Sequence, residues 1–244
     1  MRLLEEEIGQ PKELVFLDLE GTQLSHETIA IGACAYYCDE HLLPAKGKKI
    51  RIYKQFVKSE GKVGGVVTVL TGITDSQLKE QGVPFSKALS ELVEFSKCPG
   101  GKRKYITFGN QDLNMLRVST FKDDSGKAKQ FYYHIKKNWF DLQEFVSRYV
   151  HDARHITYSQ PKLLEIFEAE NLKHAHDPLY DAENLKNLFI QVLTRPDIMV
   201  REFEKGMFTG KEVGNVLKPV LVDLSGGRDV TAQKFRSYLE AYFS

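Results

Sequence analysis

Apolar residues recur along this chain with two different periods, and the switches between them mark out its elements. The short apolar run Leu14-Val15-Phe16-Leu17, closed by Asp18, predicts a buried first strand over 14–18. Ile29 to Tyr37 predicts a second strand, and the alternating IRIYKQFV of Ile50 to Val57 a third. These three follow one another closely enough to form an antiparallel meander, with Lys46-Gly47-Lys48-Lys49 as a solvated hairpin end. The period then becomes helical over 74–81 and 84–97. In the second of these, Phe85, Leu89, Leu92, Val93 and Phe95 fall near one face and Pro84 suits a first turn.

Tyr105-Ile106-Thr107-Phe108 reads as a short buried strand, after which Asn110-Gln111-Asp112 opens a helix from Leu113 to Val118. Residues 122–130 are polar and read as a loop. Phe131 to Lys137 mixes rings and cations and reads as an edge strand with a charged end, although that composition also suits single-stranded nucleic acid. Asn138 to Leu142 predicts another strand and a helix through Tyr149. Pro161 opens a helix carrying Leu163, Leu164 and Phe167. The clearest amphipathic helix spans Asp181 to Leu193, with Leu185, Leu188, Phe189 and Val192 on one face. Past Arg195-Pro196 the pattern loosens around Gly206, Gly210, Gly214, Gly226 and Gly227, and a terminal helix carries Phe235, Tyr238, Leu239 and Tyr242. We therefore expect one domain over 1–195 and an appendage over 196–244 that packs back on it or docks a protein partner or second copy.

Composition narrows the class only modestly. The chain has 244 residues, 42% of them hydrophobic, which suffices for a real core. Lys plus Arg (34) nearly balances Asp plus Glu (33), so any attraction for nucleic acid must be local. No apolar run reaches a membrane span, and MRLLEEEIGQ is too acidic for a secretory signal, so no membrane association is expected. Three cysteines, Cys34, Cys38 and Cys98, fit free thiols in a reducing cytoplasm. Cys34 and Cys38 are expected within a strand.

The chemistry lies at the ends of the apolar elements. Asp18 and Glu20 in FLDLEGT are two apart on a strand, so they share a face, and two carboxylates on one face need a compensating charge. Asp112 follows the Tyr105–Phe108 strand. Asp181 sits in the first turn of the best helix, five residues after His176. Alone, each has an ordinary reading as a strand end, a cap or a first-turn acid. Together, FLDLEGT, Phe108-Gly109-Asn110-Gln111-Asp112-Leu113 and His176-x4-Asp181-Ala182 resemble the three motifs of the DEDDh family of 3′→5′ exonucleases. Leu70-Thr71-Gly72-Ile73-Thr74 and Phe140-Asp141-Leu142 resemble its connecting segments. The resemblance covers about residues 13–193. The second motif departs from the His-Asn-Ala-x-Phe-Asp of proofreading members and is nearer the branch that trims RNA ends.

That resemblance implies an α/β, ribonuclease-H-like fold: a mixed five-stranded sheet flanked by helices. It implies two Mg²⁺ or Mn²⁺ ions on hard oxygen ligands. Asp18 would bridge both ions, Glu20 and Asp181 would hold the one carrying the attacking water, and Asp112 the leaving-group ion. His176 would take the water's proton as general base. Gly21, Thr22, Leu24, Leu70 and Asn110 would contact the 3′ end of a single strand of RNA or a short single strand of DNA, and nucleoside monophosphates would be released. Two other readings compete. FLDLEGT also resembles the opening motif of haloacid-dehalogenase-type phosphatases, with Asp18 as nucleophile, but Glu20 and His176-x4-Asp181 fit that badly. A non-catalytic nucleic-acid-binding module on the same fold is the other, and all five chemical positions are filled.

Overall fold

The computed structural model describes residues 1–97, 102–123, 126–152, 154–172, 176–209 and 214–243; Cys98, His174 and Gly210 lie outside the described residues. A short helix α1 (Arg2–Ile8) precedes β1 (Glu13–Gly21), β2 (Thr28–Tyr37) and β3 (Arg51–Phe56), which pair antiparallel. Three helices follow: α2 (Gly65–Thr71), α3 (Asp75–Gln81) and α4 (Phe85–Phe95). The chain then crosses to β4 (Arg103–Thr107), parallel to β1. Helices α5 (Gln111–Lys122) and α6 (Gly126–Lys137) lead to β5 (Trp139–Asp141), parallel to β4. The remainder is helical: α7 (Leu142–Ser147), α8 (Gln160–Ile166), α9 (Pro178–Thr194), α10 (Pro196–Thr209), α11 (Gly214–Ser225) and α12 (Ala232–Phe243).

The sheet runs β3-β2-β1-β4-β5, the mixed five-stranded arrangement expected of a ribonuclease-H-like fold. The central strand β1 feeds two cores because its side chains alternate. Leu14 and Phe16 join Leu185, Leu188 and Phe189 of α9 and Phe145 of α7, with the Phe16 and Phe189 ring centroids 5.4 Å apart. Val15, Leu17 and Leu19 face the other way, onto Leu89 and Leu92 of α4 and Tyr132 of α6. The continuous apolar run at 14–17 is thus a strand buried on both faces.

Helices α6 and α2 differ from the sequence expectation. Residues 131–137 are the second half of α6, not an edge strand: Ala128, Tyr132 and Ile135 are spaced four and three apart and all are buried. The ring-rich composition favours a strand, but the burial period is helical. The end of the polar tract at 122–130 belongs to the same helix. Helix α2 is unexpected because Val66, Thr68 and Val69 are poor helix formers and none of its residues is buried. A distant side chain starts it, Gln23 Oε1 accepting the Val66 N–H at 3.1 Å.

At the far end, Ile198 and Met199 of α10 are buried in the α9-side core. Asp223 ties α11 to α12 by accepting from Arg228 (2.7 Å), Lys234 (2.5 Å) and the Tyr238 hydroxyl. Among the described residues no helix is long and apolar enough to cross a membrane.

Candidate active site

β1 ends in Asp18 and Glu20, on the face that α9 covers. Asp18 pairs across the sheet with Gly32 of β2. A Cβ on Gly32 would stand 2.0 Å from the Pro178 carbonyl carbon and 2.4 Å from the Leu179 nitrogen. The first turn of α9 therefore rests on bare backbone, closer to Asp18 than any side chain at position 32 allows. Asp177 begins that helix by accepting the Leu179 N–H (3.1 Å), and Pro178 at the first position has the right φ. Lys54 of β3 holds Asp177 from the sheet side at 2.6 Å. Asp181, one turn into α9, then faces the end of β1. Its Oδ2 accepts the backbone N–H of His176 at 2.9 Å. His176 is exposed and adopts a left-handed φ of 65°. Ligand atoms of Glu20, His176 and Asp181 all lie within 4.8 Å of one another.

Asp112 arrives from a different helix. Gly109, at φ 89°, turns the chain from β4 into α5, and its N–H is held by Asp141 Oδ1 at 2.9 Å. This places Asp112 in the first turn of α5, buried, with Oδ1 accepting the Leu19 N–H at 2.8 Å. Leu19 stands between Asp18 and Glu20, so that one bond sets Asp112 beside both.

Four carboxylates so placed resist ionisation. Burial, then Asp112, Asp181 and Glu20, push the Asp18 carboxyl well above its usual range. Burial, then Asp181, Asp112 and Asp177, raise Glu20 to about 8. Burial raises Asp112 to about 7 against the opposing Leu19 hydrogen bond, and it raises Asp181 against that of His176. A site that repels its own charges is one that a cation completes, and its oxygen-rich donor set suits a hard divalent ion.

The other site residues named from sequence lie around this cluster. Gly21 follows an irregularity in the β1–β2 register, and a Cβ there would meet Met115 Sδ at 2.8 Å. Thr22 is buried, and its hydroxyl is taken up within its own loop by Ser25 (2.7 Å) and the Glu27 N–H (3.0 Å). Leu24 is 88% exposed and Leu70 is 51% exposed. Asn110 is exposed at the start of α5.

No family model matches the chain. In sequence it is 27% identical over 224 residues to a PolC-type DNA polymerase III of Caldanaerobacter subterraneus subsp. tengcongensis. That match covers 90% of this chain and spans 14% of the polymerase's length. In structure it is similar to the nuclease domain of 3′hExo, a DEDDh family member solved with rAMP: TM-score 0.62, 17% identity, 76% of this chain and 94% of that one. It is also similar to E. coli exonuclease I in complex with a dT13 oligonucleotide: TM-score 0.57, 13% identity, 80% of this chain and 43% of that one. The fold is that of the DEDDh exonucleases.

Within this DEDDh fold, several residues that sequence reasoning passed over hold the site in place. Gly32 carried no signal, because only α9 shows why it must be bare. Asp177-Pro178 was legible as a cap followed by a first-turn proline. Glu27 is buried and accepts from Ser25 Oγ (2.6 Å), Lys122 Nζ (2.7 Å) and the Glu60 and Gly61 N–H groups (3.0 and 3.1 Å). Burial opposes its charge, but the bonds from Lys122, Ser25 and Glu60 outweigh burial and hold its pKa below the usual range. It thereby joins the 22–27 loop to residues 60–61 and to the end of α5.

Proposed function

We propose that the chain is a metal-dependent 3′→5′ exonuclease that removes nucleoside 5′-monophosphates from single-stranded RNA or short single-stranded DNA. The observation that carries this reading is the meeting of Asp18, Glu20, Asp112 and Asp181, with His176 beside them, at the end of β1 in a DEDDh fold. The ligands of the solved relatives, a ribonucleotide in one and a deoxythymidine oligomer in the other, support a single strand of either sugar.

The four carboxylates would hold two Mg²⁺ or Mn²⁺ ions, which when bound supply charge neutralisation and Lewis acidity to a phosphodiester. Water attacks the terminal phosphorus, the bond to the upstream 3′-oxygen breaks, and that oxygen takes a proton from solvent and leaves as a hydroxyl on a strand one nucleotide shorter. His176, exposed at the mouth of the site, receives the water's proton. Exposed Leu24 and Leu70 offer apolar contacts to the terminal base. A phosphatase using Asp18 as nucleophile would leave Glu20, His176 and Asp181 without a role.

The test uses 5′-labelled RNA and DNA single strands of one sequence with Mg²⁺, Mn²⁺ or EDTA. A ladder shortening from the 3′ end, dependent on metal and lost in Asp18→Asn and His176→Ala, supports the mechanism, and the preferred strand fixes the sugar. Absence of shortening of either strand with any metal overturns it.

A further inference from the structure

Helices α5 and α6 run side by side next to the site, and a groove of about 450 Å³ opens along them. Helical spacing lays out its walls. Asn110, Asn114 and Arg117 step along one face of α5 at intervals of four and three, while Asp112 and Leu116 are buried on another. Tyr132 and Lys136, four apart, form the α6 wall. Among the described residues no carboxylate lines the groove, although Asn110, which does, is two residues from Asp112 of the acid cluster. Arg117 hydrogen-bonds Asn114 Oδ1 at 2.9 Å, and among the described residues neither Arg117 nor Lys136 forms an ion pair. Both are exposed.

This juxtaposition has a direction. Asn110 of the groove and Asp112 of the acid cluster share the start of α5. Arg117 lies five residues beyond Asp112, about 7.5 Å along the helix axis. A strand whose terminal phosphodiester sits on the acids must carry its next phosphates away from them, and those phosphates need fixed positive charge. Amide side chains beside the cations can meet sugar hydroxyls or the edges of any base. The volume falls in the range of small-ligand pockets and matches a nucleotide rather than a long duplex.

We propose, resting on the exonuclease reading, that this groove holds the nucleotides immediately upstream of the scissile bond, with Arg117 and Lys136 on their phosphates and Asn110 and Asn114 on sugar or base. The ring-and-cation stretch at 131–137 then has a role that a mere edge element would not give it.

Two substrates separate the groove from the catalytic centre: a deoxythymidine hexanucleotide and the p-nitrophenyl ester of thymidine 5′-monophosphate, which has no upstream nucleotide. In Arg117→Gln/Lys136→Gln the ratio of kcat/KM for hexamer over ester falls at least tenfold, mainly through the hexamer KM. Binding of the hexamer to full-length Asp18→Asn protein, measured against salt, gives a second readout. Each lost phosphate contact removes about 0.7 from the slope of log K against log salt, so the double variant is shallower by about 1.4. An unchanged ratio with an unchanged slope, in a variant that melts like the wild type, overturns the proposal. So does an equal loss on both substrates. If the wild type cleaves neither of these nor the RNA strand of the assay above, the exonuclease reading fails and the salt slope alone decides whether the groove binds a strand. Lys136→Glu, in the exposed last turn of α6, supplies the same test with half the slope change or more if the double variant does not fold.

Discussion

Replacing Glu20 with glutamine should stabilise the metal-free protein while weakening its response to metal. Glu20 is raised from an ordinary 4.5 to about 8 by burial and neighbouring acids. The folded, metal-free protein thus keeps a proton that the unfolded chain has already lost between those two values. Its stability therefore falls as pH rises from about 4.5 to about 8 and is flat outside that window. At pH 7 the gap of about 2.5 units, at 1.36 kcal/mol each, amounts to roughly 3 kcal/mol. A neutral amide of the same shape escapes that cost and also relieves Asp18, which Glu20 helps to raise. For a chain of this size 1 kcal/mol moves Tm by about 2–4 °C, so Glu20→Gln in EDTA at pH 7 should melt about 6–12 °C higher. Adding Mg²⁺ or Mn²⁺ narrows that gap. A ligand at a hundredfold excess over its Kd stabilises the wild type by roughly 3 kcal/mol, and the variant, short of one ligand, gains less. The assay is thermal melting in EDTA and in metal from pH 5 to 8. A metal-free variant melting at or below the wild type, or a wild-type Tm that rises across that range, would falsify the electrostatic account of the site.

Three further outcomes test how the site is positioned. Gly32→Ala places a Cβ 2.0 Å from the Pro178 carbonyl carbon, so α9 must shift, and activity should drop at least a hundredfold with about 1–3 kcal/mol of stability; Gly126→Ala, where the space is open, should change neither, and equal behaviour of the two would refute the role given to Gly32. Glu27→Gln should lose about 1–3 kcal/mol at neutral pH by weakening its four hydrogen bonds. Because the folded pKa of Glu27 is depressed, its contribution is present above the ordinary glutamate range and is lost as pH falls through the folded value. Urea titrations at pH 7 and pH 3 should therefore show the gap closing in acid, and a constant gap counts against it. A chain ended after residue 209 should keep the fold, whereas one ended after 195 loses buried Ile198 and Met199 and about 3–6 kcal/mol, read as a lower urea midpoint.

Much of this molecule is local, and local structure is legible in sequence. β1 and β2 are apolar runs, α4 and α9 have an apolar stripe, and Asp177-Pro178 announces where α9 begins. The spacing of Asp18 and Glu20 fixes that they share a face whatever surrounds them, because a strand alternates. His176 and Asp181 are close because only four residues lie between them. Elements whose stability comes from elsewhere were not legible. α2 has poor helix formers and no buried face, and it is started by Gln23 from another loop. α6 has a strand-like composition but a helical burial period, which matters only once α4 and β1 offer it a surface. The meeting of Asp112 with Asp18 across 94 positions rests on one backbone hydrogen bond from Leu19. The approach of α9 rests on the missing side chain of Gly32, 146 residues before Pro178. Sequence by itself determined which residues could do chemistry and which face of an element each occupies, since that follows from backbone period. Tertiary structure alone decided which of those faces meet, because a contact between distant residues depends on packing that no local pattern encodes.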